Sequence, residues 1–241
     1  KKLDEQKAVV EEIKKTPKKT YAPLLYDLTE LQREANQRFG YSAKETLNIM
    51  QRLYENHKVL TYPRTDSRYL SKDIVPTIKD RLEACGTGPY RKLAMTAKKK
   101  DLSGKLAFVN DAKVSDHHAI IPTEQFVDLS HMTNEERKIY DLVVRRFLAV
   151  LYPPFEYEQT QVTVKVGGET FLASGKIVKA QGWRAAYEEE VYSAEDEEEE
   201  EAYESGKSLK GQTLPELEKG QEIKGLVLSL TEGKTKPPAH F

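Results

Sequence analysis

Two adjacent prolines, Pro153 and Pro154, divide the hydrophobic pattern of the chain into two periods. Proline has no amide hydrogen, and its ring clashes with the preceding turn, so no helix runs through such a pair. Before it, apolar residues recur every three to four positions; after it, they alternate. A chain with that switch is neither all-helical nor all-strand and reads as α+β.

Upstream, Ile139, Leu142, Val143, Phe147 and Val150 predict a helix that opens at Thr133 and Glu136 and reaches about Leu151. Asp27 and Glu30 open an earlier one, with Leu28, Leu31, Ala35 and Phe39 at helical spacing and Gly40 as its stop. Ser42 and Glu45 begin the next at once, with Leu47, Met50 and Tyr54 on one face. Two helices joined so tightly form a helix-turn-helix-like unit, which serves as readily for a structural corner as for nucleic-acid contact. Ser71 predicts the cap of a third helix with Ile74, Ile78 and Leu82 inside, Pro76 being tolerated near the first turn. Residues 86–105 read as a polar, basic connection, and Lys98, Lys99 and Lys100 within it suit either a solvated loop or a phosphate backbone.

Downstream, Val162, Val164 and Val166 alternate, Gly167-Gly168 turns, and Phe171 and Ala173 alternate back, which predicts a hairpin. Ile177-Val178 and the run from Ile223 to Leu230 predict further strands. Residues 1–20, where Val9, Val10 and Ile13 are the substantial apolar positions, fit a strand or an entering helix.

The 241 residues suit one large or two modest domains. No run approaches the ~20 apolar residues of a membrane span, and the lysine-rich start lacks the apolar segment of a signal peptide. The lone cysteine, Cys85, excludes an internal disulfide framework, fits a reducing cytosol and reads as a structural thiol. The net charge of −1 conceals an asymmetry. Eleven acidic residues and no Lys or Arg lie between Glu188 and Glu204, and with those set aside the remainder carries +10. A basic body suits a polyanionic partner, though surface lysines also serve solubility alone. The acidic tract, about 188–205, reads as a solvated loop, with a regulatory or DNA-mimicking role as the alternative.

The stretch with the most chemistry runs from Val59 to Ser71. Val59-Leu60-Thr61-Tyr62 predicts a short strand that Pro63 ends, leaving Tyr62 at the strand end with Arg64, Thr65, Asp66, Ser67 and Arg68 behind it. A phenol, with a pKa of ~10, is a poor nucleophile unless cations stabilise the charge that builds during attack. Arg64 is the natural candidate, because guanidinium is always charged and matches phosphate oxygens bidentately. The plainer alternative is a half-buried aromatic followed by a polar turn.

Tyr62-Pro63-Arg64-Thr65-Asp66-Ser67-Arg68-Tyr69-Leu70 resembles the active-site tyrosine motif of the type IA DNA topoisomerases, and its ending is most similar to the bacterial topoisomerase III branch. Asp116-His117-His118-Ala119-Ile120-Ile121-Pro122-Thr123 resembles the histidine segment of that family. The resemblance implies a helical catalytic-tyrosine domain over 22–152 inserted into a β-rich arch, whose outgoing segment is 1–21 and whose return is 153–241. It implies that Tyr62 attacks one strand of single-stranded DNA and keeps the 5′-phosphate, that a strand passes, and that the break reseals without ATP. By the same resemblance Arg64 stabilises the phosphate, Asp66 and His117 support it, and Lys44 and Arg68 contact DNA; His118 falls where the pattern calls for no histidine. Magnesium in this family is held by an acidic domain, and no carboxylate cluster with metal-site spacing is seen here. The chain is therefore expected to be a central piece of a longer, monomeric, cytoplasmic and nucleoid-associated enzyme, incomplete by itself and working with the remaining domains. A non-enzymatic nucleic-acid-binding module built on the helix-turn-helix is the alternative. A tyrosine recombinase fits less well, because its catalytic arginines and histidines precede the tyrosine.

Overall fold

In the computed structural model, residues 7–187 and 214–223 are described. The expected strand beyond Ile223 and the acidic tract from 188 lie outside them, apart from Glu222–Ile223. The element order is β1 (Ala8–Thr20), α1 (Leu28–Phe39), α2 (Ala43–Glu55), α3 (Ile78–Cys85), α4 (Arg91–Ala97), α5 (Asn134–Ala149), β2 (Phe155–Val166), β3 (Glu169–Ala180) and β4 (Glu222–Ile223). Five helices thus fall between the first and second strands of one sheet, whose order is β3-β2-β1-β4. The fold is α+β. The described residues form two compact units, one of 7–18, 157–177 and 214–223, the other of 19–156 and 178–187.

In the strand unit, residues 1–20 resolve in favour of a strand: β1 pairs antiparallel with β4, Ala8 opposite Ile223 and Val9 opposite Glu222. Ala8 and Val10 turn inward there while Val9 faces out. β2 and β3 are joined through Gly167 and Gly168, whose φ values of 57° and 84° satisfy the left-handed turn that a two-residue hairpin requires. Ile177 and Val178 belong to β3 itself, not to a further strand.

The helical unit holds the larger core. α5 is its centre: Thr133 and Glu136 close a reciprocal capping box, and Ile139, Leu142, Val143 and Phe147 are buried. α1 runs from an Asp27 cap to Gly40, which takes φ 72°. α2 has a full capping box between Ser42 and Glu45, but its buried row is Thr46, Ile49, Met50 and Leu53. Leu47 is only half-buried and Tyr54 is exposed, so the expected inner face is displaced around the helix. α3 starts later than expected. Pro76 cannot donate to the carbonyl of residue 72, so Lys72–Thr77 form a 3-10 segment and the α-helix begins at Ile78. Ser71 makes no side-chain cap; the Asp111 carboxylate accepts from the Lys72 amide instead, at 2.8 Å.

The expected connection over 86–105 contains α4, a helix that periodicity missed because its buried positions are the small Ala94 and Ala97. α4 packs against α3 so closely that a Cβ on Gly86 would stand 3.1 Å from the Ala94 Cβ. Cys85 is buried at that junction, and burial pushes its thiol pKa up to about 12, as befits a packed and unreactive sulfur.

Candidate active site

Short extended segments, paired in twos and threes, hold the site in place of a regular sheet. The tail of the histidine segment, Ala119 to Thr123, is their spine. The Ile120 amide donates to the Tyr26 carbonyl at 2.8 Å, the Thr61 amide to Ile121 at 3.0 Å, the Thr123 amide to Val59 at 3.0 Å, and the Ala119 amide to Tyr69 at 2.9 Å. The expected strand Val59–Tyr62 is therefore no regular strand; it is a single bridge, Leu60 to Pro122, because the amides that would extend the ladder are spent elsewhere, Ile121 on Thr61 Oγ1 and Val59 on the Leu53 carbonyl. Leu60, Ile120 and Ile121 are fully buried, which anchors the arrangement to the core.

From Pro63 to Ser67 the chain is extended and alternates in exposure: Pro63, Thr65 and Ser67 are buried, Arg64 and Asp66 exposed. The buried hydroxyls stitch the two motifs together. Thr65 Oγ1 donates to the His117 carbonyl at 2.9 Å and accepts from the Ser67 amide at 3.1 Å. Ser67 Oγ donates to the Lys113 carbonyl at 2.7 Å and accepts from the Tyr69 amide at 3.1 Å. The Thr65 carbonyl in turn accepts from the Leu28 amide at the start of α1, at 3.1 Å. One face of the stretch is locked, and the other carries the side chains with chemistry.

Tyr62 is half-buried between two rings. The Tyr54 ring from the end of α2 meets it edge-on with centroids 5.5 Å apart, and the His117 ring lies tilted against it at 4.5 Å. The phenol shares the wall of a cavity of about 340 Å³ with Thr61, Ser71, Asp73, Ser115, Asp116 and both histidines. That volume admits a group the size of a nucleotide component beside the hydroxyl.

The other expected residues fall into three groups. His117 and Asp66 are brought to the tyrosine loop: His117 by its ring, and Asp66 by a weak hydrogen bond from Ser115 Oγ at 3.5 Å, the limit for such a contact. Arg64 is exposed, with no ion-pair partner among the described residues, so its five donors are available to an anion. Arg68 is turned the other way; its Nε donates to the Leu25 carbonyl at 3.1 Å and its head lies 3.9 Å from Glu30. Lys44 is exposed on the first turn of α2, ten residues before Tyr54 and hence about 15 Å along the axis from the Tyr62 contact. His118 lies half-buried on the same cavity. Burial lowers its pKa, its hydrogen bond to the Ala119 carbonyl opposes that, and Arg81 and His117 press the same way as burial. Asp73 raises it too, but burial prevails, so the His118 pKa lies below the ordinary histidine value.

Tyr54, Thr65 and Ser67 were not singled out by sequence. Tyr54 has the spacing of a core residue, and the two hydroxyls look like any polar turn; only burial separates them. Among the described residues no three His, Cys, Asp or Glu side chains are grouped as a metal site would require.

A family model described as DNA topoisomerase matches residues 1–241, and the chain belongs to the type IA DNA topoisomerase family. More particularly, it is 55% identical over 241 residues to DNA topoisomerase 3 of Bacillus subtilis (strain 168), covering 100% of this chain and 32% of that protein. It is 56% identical over 241 residues to DNA topoisomerase 3 of Bacillus cereus (strain ATCC 14579), again with 100% and 32% coverage. In fold it is similar to full-length topoisomerase I from Thermotoga maritima, with a TM-score of 0.62 and 24% identity over 91% of this chain and 33% of that one. The chain spans about a third of the length of these relatives.

Proposed function

We propose that this chain is the tyrosine-bearing portion of a topoisomerase that cuts one strand of single-stranded DNA, passes a strand through the gap and reseals it. Tyr62 Oη attacks the phosphorus, the bond to the 3′ oxygen breaks, and the 5′-phosphate stays on the tyrosine until that oxygen returns. The energy of the phosphodiester is kept in the new ester, so no ATP is consumed. Arg64, exposed two residues on, neutralises the charge that builds on the phosphate, and His117 holds the phenol ring and offers a nitrogen to a phosphate oxygen. Asp66 orients the loop through Ser115, and Lys44 meets the DNA backbone further along. Arg68 fits a positioning role better than a DNA contact, since its guanidinium already holds the Leu25 carbonyl. Magnesium, in this reading, comes with other domains of the same polypeptide. The molecule acts as a monomer in the bacterial cytoplasm, on the nucleoid; no helix among the described residues is long and apolar enough to cross a membrane.

The observation that carries the reading is Tyr62 itself, held at a cavity wall by two rings while the backbone behind it is locked by buried hydroxyls. Relaxation of negatively supercoiled plasmid tests it. The longer polypeptide should relax plasmid and decatenate linked circles, its Tyr62→Phe variant should do neither, and this chain alone should be inactive. Full relaxation by the Tyr62→Phe variant would remove Tyr62 as the nucleophile, and DNA binding without relaxation by the unaltered polypeptide would favour a non-enzymatic binding module built on α1 and α2.

A further inference from the structure

The row of lysines after α4 is not absorbed by the site around Tyr62. Arg91, Lys92, Met95, Thr96 and Lys99 recur at helical spacing and, with Gly88 and Pro89, line an open groove of about 500 Å³. Ala94 and Ala97 bury the opposite side of the same helix. The groove is firmly mounted. Tyr152 Oη donates to the Leu93 carbonyl at 3.0 Å, Tyr90 Oη to Asp141 at 2.8 Å, and Lys98 Nζ to Glu83 at 2.6 Å. Lys98 is thus used in holding α4 to α3, whereas Arg91, Lys92 and Lys99 are exposed and without an ion-pair partner among the described residues. Between them stands Met95, 61% exposed, a long apolar side chain where a merely soluble helix face would carry a polar one.

We propose that this groove is a second nucleic-acid site, taking a single strand whose phosphates meet Arg91, Lys92 and Lys99 and one of whose bases packs on Met95. Charge complementarity selects a polyanion, since no acidic side chain lines the groove. The thioether selects a single strand: sulfur packs well on aromatic faces, and those are hidden inside a duplex. α4 itself is about 9 Å long from Arg91 to Ala97, and Lys99 stands in the turn just beyond it, room for a short run of nucleotides. Tyr62 packs against α2 and the 114–118 loop, whereas α4 packs on α3 and α5, so the two sites rest on different elements. The inference rests on the reading that the molecule works on DNA, but not on Tyr62 being the nucleophile.

The test uses this chain carrying Tyr62→Phe, a labelled oligo-dT and a salt series, so that cleavage plays no part. Replacing Arg91, Lys92 and Lys99 together by Gln should flatten the plot of log affinity against log salt by about 2, because each phosphate neutralised on a single strand adds ~0.7 to the slope. The charge-preserving set Arg91→Lys, Lys92→Arg and Lys99→Arg should keep the original slope. Met95→Ala should weaken binding about two- to tenfold without changing the slope. An unchanged slope in the Gln variant would overturn the site. Full affinity in Met95→Ala, or equal competition by a duplex of the same length, would overturn its assignment to a single strand. Failure of adduct formation at Tyr62 in the longer polypeptide, alongside the expected slopes here, would sink the proposed chemistry and leave this groove standing.

Discussion

The molecule uses a tyrosine, an arginine and a carboxylate twice, to opposite ends. Around Arg146 the arginine and tyrosines are buried, the Glu34 carboxylate is half-buried, and the groups close on one another. The guanidinium donates to Glu34 at 2.6 Å, to Tyr26 Oη at 3.0 Å, to the Leu24 carbonyl at 3.1 Å and to Tyr187 Oη at 3.2 Å, while Tyr26 Oη donates to Glu34. Burial holds the Tyr26 hydroxyl well above the usual tyrosine pKa, so it serves only as a hydrogen-bond partner. Around Tyr62 the same types stand half-buried or exposed, and Arg64 lacks an ion-pair partner among the described residues. The closed trio joins α1 to α5; the exposed one is held by its backbone and leaves its side chains open. Residue type does not separate the two roles, but burial and satisfied hydrogen bonds do.

The sharpest way to break this contrast is to remove the two arginines in turn. Arg146→Ala leaves Glu34 with Arg38 alone and takes the donor from the buried Tyr26 and Tyr187 hydroxyls and the Leu24 carbonyl, and should lower stability by about 2–4 kcal/mol in urea unfolding. Arg64→Ala should leave stability within about 0.5 kcal/mol. It should nevertheless slow DNA adduct formation about 10²–10³-fold in the longer polypeptide, as removal of a charge-stabilising donor does. Equal destabilisation by both changes would dissolve the distinction.

Thr65→Val probes the locked face of the catalytic stretch. It removes the donor to the His117 carbonyl and the acceptor of the Ser67 amide, and should cost about 1–3 kcal/mol in unfolding free energy. Because it also frees the link between the two motifs, adduct formation should fall further than stability alone explains, with Thr65→Ser restoring both.

The smallest effect concerns pH. Burial pushes the Glu136 carboxyl up, but hydrogen bonds from Arg52 and the Thr133 amide, with His57 at 3.3 Å, outweigh it, and its pKa lies below the ordinary 4.5. A group lowered on folding stabilises fully above its unfolded value, and that stabilisation fades as pH falls through the folded one. Urea unfolding of the wild type should therefore weaken as pH falls below about 4.5, and Glu136→Gln should flatten that part of the profile. Parallel acid limbs would remove Glu136 from the account.

What was legible in the sequence were the features written in local chemistry. Thr133, Glu136 and Pro153-Pro154 bracket α5 because caps and stops act within a turn. Gly40 likewise marks the end of α1. The tyrosine and histidine stretches were legible as motifs, and the structure places their rings 4.5 Å apart. What escaped depends on packing partners distant in sequence. Tyr54 has core spacing yet turns to Tyr62, so the inner face of α2 was misplaced. α4 shows two alanines where a hydrophobic stripe would announce a helix. The strand before Tyr62 shrank to one bridge because the Ile121 amide turns to Thr61 Oγ1 and the Val59 amide to Leu53, and Arg68 turned from the expected ligand to Leu25.

One measurement bears most directly on Tyr62 as the nucleophile. A single-stranded oligonucleotide labelled at its 3′ end is incubated with the longer polypeptide, with its Tyr62→Phe variant and with this chain alone, then run on denaturing gels. The account predicts label trapped on the unaltered polypeptide and on neither of the others, with a 5′ label trapped on none. Label retained by the Tyr62→Phe variant would contradict it.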